Sequence, residues 1–205
     1  MSSSVSSSPL SLEALRAGER NEFARFVEGY SPLVYRLGLK MLGNPQDAED
    51  ILQETFVKAF RHIHTFDGRA SLSTWLYRIA TNEALMVLRR KHPEMISVDQ
   101  PSTEESTLDE PLEIVDWCCV PEEELLSAEG RAHLEQAVEQ LSPALRLVFM
   151  LREMDGLSTR ETAEALNISE EAVKTRLSRA RLQLRENLSV YYGERLEGRE
   201  YGAHR

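Results

Sequence analysis

Apolar residues recur at steps of three and four along most of this chain, and the cleanest stretch lies near its end. Val173, Leu177, Ala180 and Leu184 are spaced four, three and four apart, which makes one buried helical stripe. Upstream, Ser158 followed by Glu161 forms a capping box that starts a helix running to about Leu166. Asn167 suits the left-handed turn between the two helices. Ser169 can cap the second helix, whose first turn holds Glu170 and Glu171 where the helix dipole favours carboxylates. At ~100° per residue, Thr175 and Ser178 face away from the stripe. Lys174, Arg179 and Arg181 flank them, and Arg176 lies nearer the stripe's edge. Lys174–Arg185 carries five basic residues and no acidic one. A charge run by itself is usually a solvated face. A capped turn joined to a one-sided basic face points instead to a helix-turn-helix reading duplex DNA, with arginines on phosphates and short hydroxyls at base edges.

The same periodicity predicts helices over Leu10–Gly29, Pro32–Leu42, Asp47–Ile63 and Leu72–Lys91, then over Glu122–Leu141 and Pro143–Met154. No convincing period-two run and no internal repeat interrupts them, so the fold class is all-α. No apolar run approaches the ~20 residues of a membrane span, and Met1–Pro9 is serine-rich, unlike a signal peptide. The two cysteines, Cys118 and Cys119, are adjacent and supply neither a disulfide framework nor a CxxC metal site. A cytoplasmic protein without membrane insertion is expected.

Charge divides the chain. Residues 1–92 carry 12 basic and 10 acidic side chains, and residues 128–205 carry 12 and 13. Residues 93–127 carry 11 acidic side chains and no Lys or Arg, so this segment alone accounts for a net charge of −10. Pro93, Pro101, Pro111 and Pro121 break it, and its composition predicts a flexible acidic linker between two small helical domains. The expected organisation is an N-terminal extension over 1–19 with a disordered start, a first domain over 20–92, the linker over 93–127, a second domain over 128–188, and a loose polar tail over 189–205.

In the first domain, Leu52, Phe56, Ala59 and Ile63 form the expected inward stripe of a helix. Asp47, Asp50 and Glu54, with Gln53 beside them, project the other way and suit a docking surface for another protein, or merely a solvated face. A Gly-containing loop then leads from Phe66 into a helix capped by Ser71 or Ser73, with Trp75, Ile79 and Ala80 expected to pack inward. Aromatics beside Arg78 and Asn82 suggest a platform for unstacked bases, although Phe66 and Trp75 equally suit a core. Arg89-Arg90-Lys91-His92 could track a phosphate backbone. No nucleophile, phosphate-loop or metal motif appears, so no catalytic residue, cofactor or metal is expected and the chain does not read as an enzyme.

Three segments in register resemble a bacterial sigma factor of the extracytoplasmic-function group. DAEDILQETFVKAF resembles its region 2 core-binding helix, FDGRASLSTWLYRIATNEA its −10 recognition loop and helix, and LSPALRLVFMLREMDGLSTRETAEALNISEEAVKTRLSRARLQL its region 4. The resemblance implies a specificity subunit of RNA polymerase. Asp47, Asp50, Gln53 and Glu54 would dock on the clamp coiled coil of the largest subunit of core RNA polymerase. Phe66, Ser71, Leu72, Trp75, Arg78 and Asn82 would read the melted −10 element of promoter DNA. Lys174, Thr175, Arg176, Ser178, Arg179 and Arg181 would read the −35 element. The resemblance also implies an acidic linker threading the polymerase channel and control by an anti-sigma factor.

Overall fold

A computed structural model describes residues 10–91, Pro93 and 128–200, and these are helical with no strand among them. The acidic segment from 94 to 127, with Cys118 and Cys119, lies outside the described residues, as do His92 and Met1–Pro9. The chain divides into two compact units, residues through Val87 with 163–167, and 88–162 with 168 onward.

In the first unit, α1 (Leu12–Arg16) is a short helix capped by Ser11, whose hydroxyl accepts the Ala14 N–H at 3.3 Å. Gly18 separates it from α2 (Arg20–Leu42), so the single helix expected over 10–29 is two. The break expected between Gly29 and Pro32 is absent, and α2 runs through Pro32. Phe26, Val34, Leu37 and Met41 are buried on both sides of the proline, and continuing the helix is what keeps them on one face. Ser31 hydroxyl also donates to the Val27 carbonyl at 2.6 Å in the turn the proline disturbs. Gly43, at φ 65°, ends α2 with its N–H on the Leu39 carbonyl. Asn44 then caps α3 (Pro45–His62) by accepting from the Gln46 and Asp47 N–H groups.

The α2–α3 hairpin closes tightly. A Cβ on Gly38 would lie 3.0 Å from the Ala48 Cα. The inward face of α3 is Ala48, Ile51, Thr55, Phe56 and Ala59, followed by Ile63 in a 3-10 turn over Ile63–Thr65. Phe56, Ala59 and Ile63 match the expected stripe, whereas Leu52 is only half-buried. Thr55 takes a core position that apolar periodicity does not count, and its hydroxyl is buried without a hydrogen bond. In α4 (Leu72–Lys91), Leu76, Tyr77, Ala80 and Ala84 are buried, while Trp75 and Ile79 are half-buried. Of the three residues expected to pack inward, Ala80 is buried as expected, and Leu76 and Tyr77 take the core positions beside it in place of Trp75 and Ile79. Lys58 of α3 and Glu83 of α4 form an ion pair at 2.6 Å.

The second unit contains α5 (Ala128–Glu139), α6 (Pro143–Phe149) continued by a π-helical turn over Met150–Met154, and α8 (Glu170–Glu200). Its core joins Ala137, Val138 and Leu141 to Ala180, Leu184 and Leu188, with Leu145 and Phe149 packed against them. The buried Arg146 guanidinium donates to the Leu141 carbonyl at 3.1 Å and to the Glu139 carbonyl, closing the end of α5. The helix α7 (Thr159–Leu166) precedes α8. The polar tail expected to be loose over 189–205 is helical as far as Glu200. No described helix is long and apolar enough to cross a membrane.

Candidate functional site

The entry to α8 follows the expected chemistry. Ser158 N–H donates to Glu161 Oε2 at 2.8 Å, and the Glu161 N–H donates to Ser158 Oγ at 3.2 Å, the reciprocal pair of a capping box. Ser158 holds the Glu161 carboxyl below its ordinary range, through its hydroxyl first and its backbone N–H second. Asn167 takes φ 54°, and Ser169 caps α8 by accepting the Ala172 N–H at 3.1 Å. Val173, Leu177, Ala180 and Leu184 are all buried, which fixes the opposite face outward. Lys174, Thr175, Ser178 and Arg179 are exposed there, with Arg176 half-exposed at the edge.

The cations on this face are not equivalent. Arg181 is tied to Glu153 of the π-helical turn at 2.6 Å. Lys174, Arg176 and Arg179 make no ion pair with a described residue. This face thus carries three cations with no ion pair among the described residues and two exposed hydroxyls, while a fourth cation is held by a carboxylate. The spacing in sequence does not reveal the Glu153 contact, because its partner lies 28 residues away.

In the first unit, Ser71, Trp75, Arg78 and Asn82 step by four, three and four along the start of α4 and share one side. Arg78 and Asn82 are exposed, and Trp75 is half-buried. Ser71 is the cap, with its Oγ accepting the Thr74 N–H at 3.1 Å, while Ser73 stands 2.8 Å from it. Leu72 is half-buried beside them. Phe66 is 4 % exposed and packs on Trp75 with ring centroids 5.5 Å apart, so it floors the loop instead of facing solvent. Between them, Asp67 accepts the Arg69 N–H at 3.0 Å and pairs with its guanidinium, which holds the Asp67 carboxyl below its usual range.

On α3, Asp50, Gln53 and Glu54 are exposed and Asp47 is half-exposed. A groove of about 670 Å³ runs beside them, lined by Phe23, Val27, Leu52, Gln53, Val57 and Phe60 among others. Phe60 is 52 % exposed and meets Phe23 edge-on at 4.9 Å, and Val57 is also exposed. Sequence reasoning found the acidic rim but not this apolar floor. Val57 and Phe60 at i and i+3 were the available signal. Among the described residues, no cluster of His, Cys, Asp and Glu could hold a metal ion.

Residues 26–93 match the family model for sigma-70 region 2, and residues 131–184 match that for sigma-70 region 4. The chain is 37 % identical over 178 residues to the ECF RNA polymerase sigma factor SigW of Bacillus subtilis, covering 86 % of this chain and 94 % of that one. It is 32 % identical to the RNA polymerase sigma-H factor of Pseudomonas aeruginosa, covering 83 % and 88 %. Among solved structures, the fold resembles CnrH in complex with the cytosolic domain of CnrY, with a TM-score of 0.62 at 21 % identity, covering 87 % of this chain and 95 % of that one. It also resembles the sigma factor RpoE of Bartonella quintana in complex with the anti-sigma factor NepR, with a TM-score of 0.59 at 23 % identity, covering 83 % and 98 %.

Proposed function

Because this chain belongs to the extracytoplasmic-function group of the sigma-70 family, we propose that it directs core RNA polymerase to promoters by reading two separate DNA elements with its two units. The observation that carries the reading is the outer face of α8. There Lys174, Thr175, Ser178 and Arg179 are exposed opposite a fully buried stripe, behind a capped turn.

The −35 element is read as duplex. Lys174, Arg176 and Arg179 neutralise phosphates, and Thr175 and Ser178 reach base edges in the major groove. Few base-reaching side chains are needed, because this contact only places the polymerase. Arg181 joins the phosphate contacts after leaving Glu153.

The −10 element is read as single strand. A base that has left the stack enters between the 66–71 loop and the start of α4, where Trp75 gives a flat surface and Arg78 and Asn82 give donors. Leu72 closes the apolar side, Ser71 fixes the helix start, and Phe66 supports Trp75 from below. Holding an extruded base offsets an unstacking cost of a few kcal/mol, so recognition and melting are one event.

Core polymerase docks on α3. Asp47, Asp50, Gln53 and Glu54 meet a basic surface, and the groove floored by Val57 and Phe60 receives apolar side chains of the clamp coiled coil. The same surface suits an anti-sigma factor, by analogy with the complexes of CnrH with CnrY and RpoE with NepR. A factor of this kind acts in the cytoplasm and catalyses no reaction itself. In domain terms, 20–92 carries docking and −10 reading, 128–188 carries −35 reading, and the acidic 93–127 segment connects them.

Run-off transcription on genomic fragments, with core polymerase alone and with the protein added, tests the proposal. Initiation at discrete sites only when the protein is present is the expected result. Unchanged transcription would overturn it.

A further inference from the structure

The short helix α1 lies upstream of the residues matched by the region 2 model, yet it is built into the first unit. Leu15 is fully buried, and α1 packs against both α2 and the 3-10 turn at Ile63–Thr65. The buried Glu22 of α2 accepts the Ser11 N–H at 2.6 Å and also pairs with Arg25 at 2.8 Å. The backbone bond from Ser11 is the main cause of a lowered Glu22 pKa. So α1 is seated by a buried leucine and a carboxylate clamp at its start.

Its last residue reaches the loop. The Arg16 guanidinium donates to the Phe66 carbonyl, 50 residues away in sequence. It stands over Gly68, where a Cβ would lie 3.8 Å from Nη2. The Phe66 N–H is itself bound to the Ile63 carbonyl at 3.1 Å. Both backbone groups of Phe66 are therefore held, one by the preceding turn and one by α1. Beyond Phe66 the loop bonds only locally until Ser71 caps α4. Together with the contact between the Phe66 and Trp75 rings, Arg16 fixes where the exposed Asp67–Arg69 stretch begins relative to Trp75 and Asn82.

We propose that Arg16 is a positioning residue for −10 base selection: α1 acts as a strap that presets the 66–71 loop before DNA arrives. The inference rests on the reading of that loop as the −10 pocket. A loop ordered in advance loses less freedom on capturing a base, and it also holds the pocket to one shape, so it discriminates better between bases. A strap that only stabilised the fold would change all promoters alike and leave base preference untouched.

The test uses holoenzyme reconstituted from core polymerase and the full chain. The template is a promoter recovered by run-off transcription, with its −35 segment kept and its −10 positions randomised. Each −10 variant carries its own barcode downstream of the start site, and counting barcodes in the transcripts against the template pool gives the base preference. Arg16→Ala is expected to lower the preference for the best −10 base by about fivefold, the worth of one such hydrogen bond, with unchanged binding to core and to a −35 duplex. Arg16→Lys, which keeps a single donor, should recover part of the preference and covers the case of an Arg16→Ala protein that folds poorly. Asn82→Ala serves as the control for the pocket itself. If Asn82→Ala loses preference while both Arg16 variants keep it, the strap is overturned and the pocket stands. If Asn82→Ala and the Arg16 variants all keep full preference, the pocket reading is overturned and the strap falls with it.

Discussion

Arg179 and Arg181 are two residues apart on one basic helix, yet the structure gives them different starting states. Arg179 is exposed with no ionic partner among the described residues, and Arg181 is held by Glu153 at 2.6 Å. Arg179→Ala should therefore weaken −35 duplex binding directly and lower the salt slope by about one, with core binding in a pull-down unchanged. Loss of core binding would contradict the separation of the two surfaces. For Arg181 the informative change is in its partner. Exposed ion pairs contribute only about 0–1 kcal/mol, so Glu153→Gln should leave thermal stability nearly unaltered. It should raise duplex affinity by roughly two- to fivefold at low salt, since Arg181 no longer has to give up a carboxylate to meet phosphate. Unchanged affinity in a low-salt titration would show that Arg181 stays off the DNA. Sequence alone places both arginines on the outer face, because that follows from the 3.6 period. It is silent on Glu153, whose proximity depends on how the π-helical turn packs.

At the level of elements, local chemistry was legible and long-range contact was not. The capping box at Ser158 and Glu161, the Asn167 turn and the α8 stripe each depend on residues within four positions of one another, and each was recoverable from spacing. Periodicity places Leu52 on the inward face of α3 and leaves out Ile51 and Thr55, because it cannot tell a groove-lining leucine from a core one. The α1 strap was missed because its contacts reach 50 residues along the chain. Two predictions belong here. Gly38→Leu should destabilise the first unit by about 1–3 kcal/mol through overpacking against Ala48, seen as a lower denaturation midpoint. An unchanged midpoint would mean the hairpin can open without cost. The capping box predicts a pH dependence. The lowered Glu161 pKa means the folded state favours the carboxylate, so its contribution is present above the ordinary glutamate range and is lost as pH falls through the folded value. Glu161→Gln, which keeps an acceptor without titrating, should flatten that acid dependence in a pH series of melting curves. An identical slope in both proteins would remove the capping box as its source.

For the whole molecule, the governing fact is that a protein with a net charge of −10 is read as a DNA binder. The two helical parts are close to neutral, and the −11 of residues 93–127 supplies the deficit. A segment so acidic, joined in sequence to the unit that carries the basic face of α8, should compete with phosphate for that face. The free protein should then bind promoter duplex weakly, and docking on polymerase should relieve the competition by giving the acidic segment another place to lie. Residues 95–120 hold seven carboxylates, Asp99, Glu104, Glu105, Asp109, Glu110, Glu113 and Asp116, and no basic residue. Replacing these with their amides keeps the tether's length and takes the net charge from −10 to −3. The neutral-tether protein should bind a −35 duplex roughly tenfold more tightly at low salt. The difference should shrink towards nothing near 1 M salt, where the Debye length falls to about 3 Å. In the holoenzyme the same change should have a smaller effect on duplex binding, because the segment is already displaced. Equal free-protein affinities at low salt would show that the tether does not compete, and an advantage surviving at high salt would assign it to something other than charge.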